Sequence, residues 1–200
     1  MIHLIRHGET AGNAQRVIQF PDTPLSERGH EQARSLAARF RDEPVAAVLC
    51  SDYARAEATA RCLAAATGAT LAVEPLLRER SFGDLRGTPY AELDVDPFAL
   101  DYAPPGGESW PVFHARVDAA WRRIQEVAAA EAGPLAVVTH GLVCLSLSLR
   151  YLALPEAHEI ETSGFANTSV TTLEARAPFR VTRLDCTRHL DCGAGDGAPV

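Results

Sequence analysis

Short apolar runs alternate with stretches of helical periodicity along most of the chain, and this alternation restricts the fold more than any other feature. Ile2 to Arg6 reads as a short buried strand, after which Gly8 and Gly12 break the pattern. Pro24 and Ser26 open a helix with Ser26 as N-cap and an apolar stripe at Ala33, Leu36, Ala37 and Phe40. Val45 to Leu49 is short enough for a second strand, a helix runs from Ala54 to Thr67 and ends at Gly68, and Leu71 to Val73 reads as a third strand. Trp110, Phe113, Val117, Trp121, Ile124 and Ala128 recur every three or four residues and define a long helix. Leu135 to Thr139 reads as a buried strand, Leu142 to Leu152 as an apolar helix, and Val170 to Leu173 and Val181 to Leu184 as the last two strands. The pattern predicts an α/β fold: a three-layer α/β/α sandwich with a largely parallel sheet and helices on both faces.

With 200 residues, the chain suits one domain, expected over residues 1–190 with 191–200 as a flexible tail rich in glycine. Residues 75–108 carry many prolines and glycines and read as a surface excursion rather than a linker, because a full helix and strand follow. Net charge is −7, which argues against a nucleic-acid partner. No apolar run approaches the roughly 20 residues of a membrane helix, and the start lacks the basic, then apolar, signature of a signal peptide. A cytoplasmic protein with no membrane partner is expected, its oligomeric state open and a dimer among the options. The five cysteines (Cys50, Cys62, Cys144, Cys186 and Cys192) show no Cys-x-x-Cys spacing, so neither a disulfide framework nor a structural zinc site is expected. The first three read as small core residues.

In a sheet of this class, ligands bind beyond the carboxyl ends of the strands. Arg6-His7-Gly8 follows the first strand, Ser51 and Arg55 the second, and Thr139-His140-Gly141 a later one. A lone histidine or arginine at a strand end is more often structural than catalytic. Two of each at three strand ends suit a phosphoryl group. The guanidinium fork matches phosphate oxygens and stays charged. Arg55 and Gly141 lie near predicted helix N-termini, where backbone N–H groups favour an anion. A neutral imidazole is a competent nucleophile, and neighbouring positive charge depresses its pKa and keeps it neutral.

Leu4-Ile5-Arg6-His7-Gly8-Glu9-Thr10 with Asn13 resembles the signature of the histidine phosphatase superfamily, also called phosphoglycerate mutase-like. Further segments match in order: Pro24-Leu25-Ser26-Glu27-Arg28-Gly29, Ser51-Asp52-Tyr53-Ala54-Arg55-Ala56, Leu77-Arg78-Glu79 with Phe82-Gly83 and Gly87, Pro105-Gly106-Gly107-Glu108-Ser109, and Val138-Thr139-His140-Gly141. The resemblance spans about residues 1 to 175. It implies that His7 is the nucleophile that becomes phosphohistidine, and that Arg6, Arg55 and His140 hold the phosphoryl oxygens. Gly141 would add a backbone N–H, and Asn13 would bind phosphate or orient its loop. Glu79 would protonate the leaving alkoxide and then deprotonate the attacking water. The plain alternative for Glu79 is a surface carboxylate paired with Arg78 or Arg80. No metal or other cofactor is implied. His3, His30, His114, His158 and His189 are expected to be structural or exposed, and Arg28 solvated.

The chain departs from its resemblance in one place. Many members carry Trp-Glu before the glycine of the acid loop, where this chain has Leu85-Arg86 before Gly87. Arg78, Arg80 and Arg86 are thus crowded around Glu79, either to contact a second anionic group on the substrate or as exposed solubilising charges. The expected activity is metal-independent hydrolysis of phosphomonoesters of small metabolites. A cofactor-dependent phosphoglycerate mutase is the alternative, but the mutases resembled carry an extended basic insertion. Here about twenty residues separate Gly87 from Glu108, with Glu92, Asp94, Asp96 and Asp101 among them. A protein phosphohistidine or phosphotyrosine phosphatase and an inactive phosphate-binding module are the remaining readings.

Overall fold

The computed structural model describes residues 1–154 and 164–191. The expectations for His158, Cys192 and the tail beyond Asp191 lie outside these residues. Among the described residues, six strands form one sheet: β1 (Ile2–Arg6), β2 (Ala47–Cys50), β3 (Thr70–Val73), β4 (Leu135–Thr139), β5 (Val170–Leu173) and β6 (Val181–Cys186). The helices are α1 (Ala11–Ala14), α2 (Glu27–Arg39), α3 (Ala54–Thr67), α4 (Trp110–Ala130), α5 (Gly141–Tyr151) and α6 (Arg188–Asp191). Strand order is β3-β2-β4-β1-β5-β6. The first four strands pair in parallel, and β5 lies antiparallel to both β1 and β6.

Side chains of successive strand residues face opposite sides of a sheet, and two cores follow from that period. Ile2, Leu4, Leu49, Leu135 and Val137 face Phe113, Val117, Ile124 and Leu147 of α4 and α5. Ile5, Val48, Cys50, Ala136 and Val138 face Leu36, Ala56, Ala60 and Leu63 of α2 and α3. A Leu, Ile or Val taken fully from water contributes ~1.5–3 kcal/mol, so strands buried on both faces anchor the fold. The three layers are as expected. Ser26 caps α2, Gly68 closes α3 with φ 71°, and Cys50 and Cys144 are buried while Cys62 is half-buried. The short α1 and α6 were not foreseen.

Sequence order places the crevice. After β1 the chain crosses through α2, on one face of the sheet, and after β4 through α5, on the other. The chain therefore leaves the carboxyl ends of these adjacent parallel strands toward opposite faces, and the crevice between the two crossings is where ligands enter such sheets. Residues 75–108 form no strand or α-helix; three short 3-10 turns at Pro75–Leu77, Gly83–Leu85 and Tyr90–Glu92 shape them.

Candidate active site

Sheet register brings the predicted residues together. Arg6 pairs with Thr139 and Cys50 with Val138, so His7, Ser51 and His140 each follow the end of an adjacent strand. The His7 N–H donates to Thr139 O at 2.9 Å and the Ser51 N–H to Val138 O at 3.0 Å, carrying the pairing past the strands. The imidazoles of His7 and His140 meet edge to face at 5.1 Å.

His7 is held as a neutral imidazole. Its Nδ1 lies 2.7 Å from Gly8 O, an arrangement that puts the proton on Nδ1 and the lone pair on Nε2. The Arg55 Nε–H donates to that Nε2 at 3.2 Å. Burial, then the charges of Arg55 and Arg6, pushes the His7 pKa well below 6.5. Arg55 is itself buried and lowered to about 10, mainly by burial; its Nη1 donates to Phe20 O at 3.0 Å. Arg6 lies against the start of α5, with its Cζ 3.7 Å from where a Gly141 Cβ would sit, and donates to Phe165 O through Nη1.

Arg6 Nε and His140 Nδ1 are buried and have no hydrogen-bond partner. A buried donor left unpaired costs ~1–3 kcal/mol, so two of them at adjacent strand ends, beside Arg55 and the N-terminus of α5, fit a guest rich in acceptor oxygens. The other nitrogen of His140 is engaged, Nε2 lying 2.9 Å from Ser51 Oγ. Burial and the charges of Arg55, His7 and Arg6 hold the His140 pKa well below 6.5.

Glu79 is not the surface carboxylate of the plain alternative. Its Oε2 accepts from Leu142 N–H at 3.1 Å, in the first turn of α5, and its Oε1 from Arg80 N–H at 3.1 Å. Burial raises its pKa above 4.5, against the opposing pull of those N–H groups and of Arg55 and Arg6. Arg116 pins the surrounding backbone, donating to the carbonyls of Leu76, Arg78 and Glu79 while paired with Glu108 at 2.7 Å. Thr139 Oγ1 donates to Leu77 O at 2.7 Å and ties this loop to the end of β4.

The three neighbouring arginines separate. Arg78 pairs with Asp52 and is exposed. Arg80 is 2% exposed and corrects both expectations held for it: it donates to the carbonyls of Glu108, Pro97 and Tyr102 with its Cζ 4.2 Å from the Trp110 ring centroid. Arg86 is half-buried and donates to Ser81 Oγ at 3.0 Å.

Asn13 forms a capping box with Thr10, and Asn167 Nδ2 donates to both Asn13 Oδ1 and His7 O. Ser26, the N-cap of α2, holds the same loop by donating its hydroxyl to Glu9 O and Oε1. Gly29 packs so closely that an added Cβ would lie 2.0 Å from Glu9 O. Asn167, Ser51 and Arg116 were not predicted as site residues. Only Ser51 had a signal, its place immediately after a strand. His3 and His189 are buried on Thr172 and Thr168, and His114 stacks on Trp110, as structural histidines do.

A probable phosphoglycerate mutase, GpmB, of Yersinia pestis (strain Pestoides F) is 33% identical over 211 aligned positions, covering 98% of this chain and 97% of that protein. A mycobacterial glucosyl-3-phosphoglycerate phosphatase, solved with VO3, superposes with a TM-score of 0.74 at 32% identity, covering 86% of this chain and 90% of that one. A putative alpha-ribazole-5'-P phosphatase from Escherichia coli gives 0.74 at 26%, covering 89% and 91%. The family model for the histidine phosphatase superfamily (branch 1) matches residues 2–184, and the chain, with its paired strand-end histidines and their arginines, belongs to that superfamily.

Proposed function

We propose that the protein is a metal-independent phosphatase that hydrolyses phosphomonoesters of small metabolites through a phosphohistidine on His7. The observation that carries this reading is the pairing of a lowered histidine with a raised carboxyl in one site. Such opposed shifts assign a base or nucleophile and an acid. His7 Nε2 attacks phosphorus while Arg55 moves from that nitrogen to the phosphoryl oxygens. Arg6, Arg55, His140 Nδ1–H and the Gly141 N–H offset the charge spread over the oxygens. Asn13 orients the loop, leaving its amide N–H groups for the phosphate. Glu79, protonated, gives its proton to the leaving alkoxide. As a carboxylate it then takes a proton from the water that cleaves the N–P bond, releasing inorganic phosphate and restoring both groups.

Similarity to proteins named as phosphatases and as a probable mutase leaves both chemistries in view. The short acidic stretch before Glu108 favours water as acceptor, since a mutase must exclude water from phosphohistidine. The test is phosphate release from a panel of phosphorylated metabolites by wild type and His7→Ala. Turnover without added 2,3-bisphosphoglycerate that disappears in His7→Ala supports the reading. Strict dependence on the bisphosphate, or full activity in His7→Ala, overturns it.

A further inference from the structure

The rim of the site is built from two short segments that pair with each other. Val17 and Pro89 form a β-bridge, Gly87 N–H donates to Ile18 O at 2.7 Å, and Tyr90 N–H donates to Arg16 O at 2.8 Å. This puts Arg16 and Arg86 on neighbouring segments. Arg16 Cζ is 5.6 Å from the Tyr90 ring centroid. Arg86 reaches Ser81, two residues past Glu79, and precedes Gly87, whose absent side chain admits the Phe20 ring. Phe20 O is also the acceptor for Arg55. Arg86 therefore stands between the acid's loop and the arginine that touches the nucleophile, and its charge is felt by Arg55.

Six other arginines among the described residues have carboxylate partners, but Arg16 and Arg86 have none. Of the three arginines around Glu79, Arg78 is paired with Asp52 and Arg80 is held by three carbonyls, whereas Arg86 meets only the Ser81 hydroxyl and is engaged by neither a carboxylate nor a carbonyl. It stands where the resemblance has glutamate, a reversal of charge at the rim.

We propose that Arg86, with Arg16 beside it, is a specificity residue that binds a second anionic group of the substrate, a carboxylate or phosphate a few bonds from the phosphoester. The proposal rests on reading the site as one for phosphomonoesters. A guanidinium with free donors grips either group through paired hydrogen bonds, and an uncharged substrate body leaves those donors unused.

The test is binding, so that it reads the rim whether or not turnover occurs. Propylphosphonate, 3-phosphonopropionate and propane-1,3-bisphosphonate are titrated calorimetrically into wild type, Arg86→Gln and Arg78→Gln. Wild type is expected to bind at least one of the doubly functional probes about tenfold more tightly than propylphosphonate. That margin should vanish in Arg86→Gln and persist in Arg78→Gln, and the probe with the larger margin names the anionic group. Equal affinity for all three in wild type, or a margin that survives Arg86→Gln, overturns the proposal. Failure of wild type to hydrolyse any phosphomonoester would instead overturn the hydrolytic reading and leave these affinities to be judged separately.

Discussion

Ser51 Oγ lies 2.9 Å from His140 Nε2 and also accepts the N–H of Tyr53 at 3.2 Å. With Tyr53 on one lone pair, the hydroxyl proton is free to donate to Nε2, which leaves the imidazole proton on Nδ1, the atom without a partner. Ser51→Ala removes this control and lets the buried, neutral ring take the other tautomer. The expected outcome is a fall in kcat of about tenfold, ~1.4 kcal/mol of barrier, with little change in Tm. Steady-state kinetics beside a thermal melt checks it. An unchanged kcat would show that His140 is oriented by its packing on Tyr53 alone.

Glu79 should separate the two half-reactions. With p-nitrophenyl phosphate the leaving group needs no proton, so Glu79→Gln is expected to release a stoichiometric burst of p-nitrophenol and then stall as phosphohistidine. Stopped-flow absorbance reads the burst. In wild type, kcat/KM should fall on the alkaline side as the raised Glu79 carboxyl loses its proton, and the acid limb from His7 should lie well below pH 6.5. A variant that turns over p-nitrophenyl phosphate at the wild-type rate would show that Glu79 does not activate the water that cleaves phosphohistidine.

Arg80 holds the excursion through the carbonyls of Glu108, Pro97 and Tyr102. Arg80→Met keeps volume but strands those acceptors, a loss of ~3 kcal/mol or more. The expected outcome is a lower urea midpoint and faster proteolysis within residues 94–104, read by mass spectrometry of a timed digest. Arg78→Met, which removes an exposed pair, should change the midpoint little.

Buried His3 and His189 are expected to contribute to the loss of stability in acid. Burial lowers His3 and His189 from 6.5 to about 4, with Arg39 adding to both. Because protonation is easier in the unfolded chain, their stabilisation is intact above pH 6.5 and is lost as pH falls from there toward 4. The loss is ~3 kcal/mol for each. His189→Gln should therefore show a smaller drop in urea midpoint between pH 7 and pH 4.5 than wild type. An identical drop would place the acid sensitivity elsewhere.

Strands and long helices were legible in the sequence because their apolar periods, 2.0 and 3.6, are local. Arg6, His7, Arg55, Glu79 and His140 were legible because each lies in a short motif, four of the five at or just after strand ends. What escaped was set by contacts between distant segments. Asn167 meets His7, and Arg116 meets the backbone of Glu79, across separations no periodicity records. Arg80 escaped for another reason: it follows the charged pair Arg78-Glu79 in sequence, and only the folded excursion encloses it.

The two chain crossings that open the crevice also divide its support. His7 and Arg55 hang from the layer of α2 and α3, whereas His140, Glu79 and Gly141 hang from that of α4 and α5. The rim belongs to neither layer. If the rim reads the substrate as proposed, substitutions there would change which molecule is recognised while both walls keep their supports.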